Sequence, residues 1–220
     1  MIWQLTDDPC LWPDPHTGEE DGFIAVGGDL TPQRLYAAYS LGFFPWYSYR
    51  LSKTIHWYCP LRRFVIFPSE IHVSHSMRQL IAKDRYEVTF NEAFDQVIRH
   101  CATADGRDGD QGAWLGEHII RAYTEMHMRQ LALSVEVWER ADDGCERRLV
   151  GGLYGLFIGH GFIGESMFSL VPSASKLALI MLARRLEPLD MIIDCQLETP
   201  HLKSMGGRFI PYEEYIERIR

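Results

Sequence analysis

One acid stands in the most apolar stretch of the chain. Residues 149–169, LVGGLYGLFIGHGFIGESMFS, carry Glu165 and no other carboxylate. A charge inside an apolar strand is costly unless it is paired or put to chemical use. A second polar cluster lies in MIIDCQLE, residues 191–198. Read as a strand, period-two alternation sets Ile192, Asp194 and Gln196 on one face and Ile193, Cys195 and Leu197 on the other. An acid beside an amide on one strand face, between apolar neighbours, is unusual. The plain alternative is an exposed strand face. If the two stretches pair, Glu165, Asp194 and Gln196 converge at one end of a leucine-lined pocket.

The elements that must position these groups can be read around them. Two apolar runs, 149–158 and 162–168, flank Gly159-His160-Gly161, the pattern of a β-hairpin. The first run is apolar on both faces, with Val150, Tyr154, Leu156 and Ile158 on one and Leu149, Leu153 and Phe157 on the other. That predicts a central strand covered on both sides. Its glycines fit either simple core packing or the close approach of a ligand. After the hairpin, Ser173 is the expected N-cap of a helix running to about residue 187, with Leu179, Leu182 and Leu186 on one stripe.

Upstream, Thr31-Pro32 predicts a helix start, with Leu35, Tyr36, Ala38 and Tyr39 on its buried face and Gly42 closing it. Phe43, Phe44, Pro45, Trp46 and Tyr47 then form an aromatic cluster, either a core plug or a stacking platform for a nucleobase. Residues 56–68 read as strand and turn and 86–90 as a strand. A helix opens near Ser74 or Ser76, and Asn91 is the expected cap of the next. The run 102–113, ATADGRDGDQGA, reads as a loop, followed by Trp114, a helix over 117–128 and a strand over 134–138.

Composition bounds the classes. The chain has 220 residues, 46% hydrophobic and 24% charged, with a formal net charge of -8. That is an ordinary globular balance and argues against indiscriminate coating of nucleic acid, though not against a local basic patch. No apolar run reaches the length of a membrane span, and the first residues lack the pattern of a signal peptide. Five scattered cysteines without a CxxC pair fit a reducing cytoplasm. No metal site is expected, because no HExxH or ligand-spaced cluster occurs. Gly159, Gly161 and Gly164 spell GxGxxG, yet they lie in a hairpin with no helix N-terminus to receive a pyrophosphate. Ser166 does not sit in the GxSxG of a nucleophile elbow.

Seven segments occur together in one order: AVGGDLTPQRLYAAYSLGFFPWYS (25–48), GAWL (112–115), SVEVWE (134–139), LVGGLYG (149–155), GESMFS (164–169), SASKLAL (173–179) and IDCQ (193–196). On these the chain closely resembles the leucyl/phenylalanyl-tRNA–protein transferases. The resemblance implies an α+β fold, with an N-acetyltransferase-like mixed sheet and flanking helices over 63–220 and a small N-terminal α/β domain over 1–62. It implies transfer of Leu or Phe, less readily Met, from charged tRNA to the N-terminal Lys or Arg of acceptor proteins. The products are thereby marked for N-end rule degradation. Charged leucyl- and phenylalanyl-tRNA and such acceptor proteins would be the partners, with no cofactor, no metal and no membrane, in a cytoplasmic monomer. The catalytic residues it assigns are Asp194, Gln196 and Glu165, with Asp194 polarising the Gln196 amide. Its amino-acid pocket is Leu153, Met167, Leu179, Leu182, Leu186 and Ile193, and Trp46 and Trp114 hold the 3′-terminal adenosine.

Departures from the family pattern fall elsewhere. WYCPLRR (57–63) stands where WWSPDPR is usual, and Leu170 and Ser173 replace a common arginine and asparagine. The helix near residues 74–85 is less basic than usual. An acyl-CoA-dependent N-acyltransferase is the rival enzyme class. It would want a glycine-rich pyrophosphate loop after the hairpin, where LVPSASK (170–176) has no glycine. A non-catalytic module that binds aminoacyl-tRNA is the third reading.

Overall fold

The computed structural model describes residues 2–46, 54–103, 116–140 and 146–220. Tyr47, Trp114 and most of the 102–113 run lie outside the described residues. Four short strands come first: β1 (Trp3–Gln4), β2 (Phe23–Val26), β3 (Phe44–Pro45) and β4 (His56–Tyr58). They form a sheet in the order β1-β2-β4-β3. Helix α1 (Pro32–Ser40) begins as Thr31-Pro32 predicts, the Thr31 side chain accepting the Arg34 backbone N–H. Ile24, Leu35, Phe43 and Trp57 are fully buried between them.

Among the described residues the second sheet has seven strands. In chain order the elements are β5 (Arg62–Ile66), α2 (His75–Ala82), β6 (Tyr86–Phe90), α3 (Phe94–Thr103), α4 (Glu117–Met128), β7 (Ala132–Arg140), β8 (Arg147–Ile158) and β9 (Gly161–Ser169). After them come α5 (Ala174–Leu186), β10 (Ile192–Gln196), α6 (Pro200–Ser204), β11 (Arg208–Pro211) and α7 (Tyr212–Ile219). The order across the sheet is β11-β5-β10-β9-β8-β7-β6. Every neighbouring pair is antiparallel except β9 with β10, which α5 joins as a crossover. The fold is α+β with a small N-terminal unit.

The hairpin is where the sequence places it, and β8 is central, with α3 and α5 both packed on it. The close approach of α5 explains one glycine: a Cβ on Gly151 would stand 2.4 Å from the Cβ of Ala174. Strict alternation along β8 fails at one point. Val137 pairs with Gly151 but Trp138 with Leu149, so Val150 is an extra, bulged residue. Val150 therefore joins Leu153 in the core beneath α5, while Leu149 joins Tyr154 in the core beneath α3 and α4.

Two expected caps differ. Asn91 has φ 62°, which turns its side chain away from α3 and onto β7, where it accepts the Ser134 backbone N–H. Ser173 precedes α5 in a left-handed conformation and makes no side-chain cap bond. Ser169 Oγ instead accepts the Ser175 N–H at 3.1 Å, satisfying one of the helix's opening donors.

Candidate active site

The site begins where two strands stop pairing. β9 and β10 run parallel only as far as Ile163 and Asp194. Beyond that level they part, and a cavity of about 410 Å³ opens between them. Leu153, Phe162, Met167, Leu179, Ile193 and Leu202 give it apolar walls, and Glu165, Ser166, Gln196, Thr199 and His201 supply polar atoms.

Glu165 reaches the cavity because β9 is also bulged. Tyr154 pairs with Ser166 and Gly155 with Gly164, leaving Glu165 as the unpaired extra residue. Its carboxyl group meets three donors. Tyr39 Oη donates to Oε1 at 2.7 Å, Tyr123 Oη to Oε2 at 3.0 Å, and Gln196 Nε2 to Oε1 at 3.2 Å. Burial pushes the Glu165 pKa up to about 7; the three hydrogen bonds pull it down and the Asp194 charge adds to the rise. Tyr39 comes from α1 and Tyr123 from α4, so both units of the fold contribute to this one acid.

Asp194 does not look into the cavity. It is fully buried on the opposite face of β10, where Tyr215 Oη donates to Oδ2 at 2.7 Å and Arg63 Nε lies 3.1 Å away. Arg63 is itself buried and donates from Nη2 to the Gly42 carbonyl at 2.5 Å; burial alone would lower its pKa, but Asp194, Tyr215 and Cys59 together raise it, so it keeps its charge. Asp194 Oδ1 accepts the backbone N–H of Gln196 at 2.7 Å. The Asp194 carboxylate thus fixes the Gln196 backbone and does not touch its side-chain amide, which corrects the expected polarising contact.

The reason is a third bulge. Asp194 pairs with Val65 and Gln196 with Phe64, so Cys195 is the extra residue, and Gln196 takes φ 62°. Ile193 and Cys195 line the cavity by ordinary alternation, and the irregular backbone swings Gln196 round to join them. Left-handed backbone at a non-glycine residue costs roughly 1–3 kcal/mol and is held by surrounding structure, here the Asp194 bond. The Cys195 thiol is pushed up by burial and the nearby Asp194, which keeps it un-ionised and a poor nucleophile.

The other expected residues divide. Leu153, Met167, Leu179 and Ile193 stand on the cavity wall. Leu182 and Leu186 do not: they lie one and two turns further along α5, buried in the core between helix and sheet. Trp46 is 47% exposed at the end of β3, in edge contact with Tyr58 at 5.2 Å, and is not part of the cavity lining. Trp114 lies outside the described residues. Tyr123, Arg63, Tyr215 and the α6 side of the cavity are contributions that periodicity gave no reason to single out, since each reads as core, surface or turn.

The family model described as leucyl/phenylalanyl-tRNA protein transferase matches residues 65–220, and the one for the N-terminal domain of the same enzymes matches residues 28–61. Among curated relatives, the leucyl/phenylalanyl-tRNA–protein transferase of Syntrophus aciditrophicus is 47% identical over 211 residues, covering 96% of this chain and 84% of its own. That of Pseudomonas aeruginosa LESB58 is 46% identical over 100% of this chain and 95% of its own. That of Myxococcus xanthus is 41% identical over 99% and 90%. With near-complete coverage on both sides and both domain models in order, the chain belongs to the leucyl/phenylalanyl-tRNA–protein transferase family, a family of aminoacyltransferases.

Proposed function

We propose that this enzyme moves leucine or phenylalanine, and less readily methionine, from charged tRNA to the α-amine of proteins that begin with lysine or arginine. The new N-terminus then marks the product for N-end rule degradation, in the cytoplasm, with no cofactor or metal and with a monomer as the working unit. The observation that carries this reading is the apolar cavity closed by the hydrogen-bonded pair of Glu165 and Gln196. An apolar guest with a cationic amine beside it is the chemistry such a cavity suits.

In this reading Leu153, Met167, Leu179 and Ile193 hold the aminoacyl side chain. A flexible methionine among branched residues tolerates guests of different shape. Discrimination by such walls is worth only about 1–3 kcal/mol per methylene, so several apolar amino acids pass. Glu165 receives the α-ammonium of the aminoacyl ester. Because Gln196 Nε2 is committed to Glu165, its carbonyl oxygen is the atom left to accept an N–H from the attacking amine. The attacking nitrogen forms a bond to the ester carbon, the ester C–O bond breaks, and the ribose hydroxyl of the tRNA leaves. The ester is already activated, so positioning and proton removal are what the enzyme must supply. Asp194 serves by holding the Gln196 backbone. Trp46, exposed beside Tyr58, supports stacking on the 3′-terminal adenosine, with Trp114 as its counterpart. The division of labour follows the two units, an N-terminal one over 1–62 and a catalytic one over 63–220.

The test is incubation with radiolabelled leucyl-tRNA and a protein that begins with arginine. Label at the acceptor's N-terminus is the expected result. Label remaining on tRNA, or released only as free leucine, rejects the reading.

A further inference from the structure

Two phenol oxygens and the two carboxyl oxygens of Glu165 close a ring at the end of the cavity. Tyr39 Oη lies 2.5 Å from Tyr123 Oη and 2.7 Å from Glu165 Oε1, and Tyr123 Oη lies 3.0 Å from Glu165 Oε2. Three hydrogen-bonding contacts need three protons. The tyrosines carry one each. Burial, with Glu165 beside them, raises both well above the ordinary phenol range, so neither gives its proton up.

The count decides the state of Glu165. If it is ionised, two protons serve three contacts, and one pair of oxygens meets lone pair to lone pair. If it is protonated, each contact holds one proton in a single sense: Glu165 donates to Tyr123, Tyr123 to Tyr39, and Tyr39 back to Glu165. Gln196 Nε2 donates to Oε1 in either state.

The surroundings agree with a neutral acid. Asp194 on β10 is the other carboxylate whose charge bears on it, although it points away from the cavity, and that charge is matched by Arg63 of β5 and the Tyr215 hydroxyl of α7. Tyr154 of β8 packs edge-on against Tyr123 at 5.7 Å. Among the described residues no cationic side chain forms a salt bridge with Glu165. Burial moves its pKa in the same direction, to about 7, against the opposing pull of the hydrogen bonds that Tyr39, Tyr123 and Gln196 donate to the ionised form.

We propose that Tyr39 and Tyr123 are positioning residues that hold Glu165 as a neutral carboxylic acid while the cavity is empty, and that an arriving aminoacyl α-ammonium ionises it. The second half rests on the reading of the cavity as the aminoacyl site. In that step the Glu165 O–H bond breaks and its proton passes to solvent. The ammonium keeps its three protons and donates to the new carboxylate; nothing is oxidised or reduced. An empty apolar cavity then strands no charge, and an acyl ester lacking the α-amine cannot offset the ionisation. The ring is in this way a selector for amino acids over hydroxy acids.

The test is difference infrared spectroscopy of the carboxylic-acid carbonyl band, assigned with Glu165→Gln. In the unliganded enzyme the band is expected at pH 6 and is lost as pH rises through the neutral range. Tyr39→Phe and Tyr123→Phe, made separately, distinguish a ring from two ordinary donors. Each substitution removes two of the neutral form's three bonds but one of the ionised form's two, and it relieves the bare contact. The midpoint is therefore expected to fall, by about tenfold in proton affinity. Donors acting only on a carboxylate would leave the midpoint higher after their removal, and that result, or the absence of the band at pH 6 in the wild type, overturns the proposal.

Leucyl-tRNA added at pH 6 is expected to erase the band and release about one proton per leucine bound, while the α-hydroxy analogue of leucyl-tRNA releases none. A preparation that transfers leucine yet keeps the band on binding overturns the ionisation step and leaves the function standing. A preparation that shows the band and its tyrosine shifts but transfers no leucine supports the ring and rejects the functional reading.

Discussion

At the scale of single residues, the site sets two carboxylates in opposed conditions on the two strands that flank the cavity. Asp194 has a cation, a phenol and a backbone N–H; among the described residues Glu165 has donors but no cation. The folded pKa of Glu165, about 7, lies above the ordinary 4.5. Its contribution to stability is therefore fully present below pH 4.5 and lost as pH rises through 7. Glu165→Gln has no such loss, so its melting temperature relative to wild type is expected to climb by about 4 °C or more between pH 5 and pH 8. Leucine transfer by the same variant is expected to fall by more than about 100-fold. Gln196→Gly probes strain directly. Glycine adopts φ 62° without penalty, so the variant is expected to match or exceed the wild type in denaturant midpoint. Its transfer rate is expected to drop by about 100-fold, as follows from losing a group that positions the amine; a variant that is both unstable and active contradicts this assignment.

The elements were largely legible, and the reason they are is also the reason the site was not. Hydrophobic period and turn chemistry predict the hairpin, the helix over 117–128, the strand over 86–90 and the Thr31-Pro32 helix start, and the structure has all of them. Period-two reading assumes an unbroken ladder. Val150, Glu165 and Cys195 each interrupt one, and two of the three bulges set the orientation of Glu165 and Gln196. A bulge is decided by what the partner strand does, so the local pattern cannot show it. Asp194 and Gln196 therefore read as neighbours on one face and stand on opposite ones. The leucine stripe of α5 misleads for a similar reason. Leu179, Leu182 and Leu186 share a helix face, but the strands have parted only beneath the first. Gly151 tests the contact that keeps α5 against the sheet. Gly151→Ala forces a methyl into the Ala174 side chain and is expected to cost about 1–3 kcal/mol in urea unfolding. Unchanged stability would show that α5 can shift freely.

For the whole molecule, the candidate acid is completed across both units, since Tyr39 of α1 and Tyr123 of α4 meet on Glu165. A net charge of -8 makes a phosphate-dominated grip on the tRNA body a poor basis for affinity. On the proposed reading of Trp46, the load then falls on the 3′ end. Stacking on one aromatic side chain is worth roughly 1–3 kcal/mol per base. Trp46→Ala is accordingly expected to raise the KM for leucyl-tRNA about tenfold while kcat stays within a few-fold, which steady-state kinetics over a tRNA series will read. The central claim is that the gap between the parted strands holds the aminoacyl group. A crystal structure with a non-hydrolysable leucyl-adenosine amide tests it most directly. The account predicts the leucine side chain among Leu153, Met167, Leu179 and Ile193, with its α-ammonium about 3 Å from a Glu165 oxygen. A ligand seated elsewhere, or seated there with its amine turned away from Glu165, contradicts it.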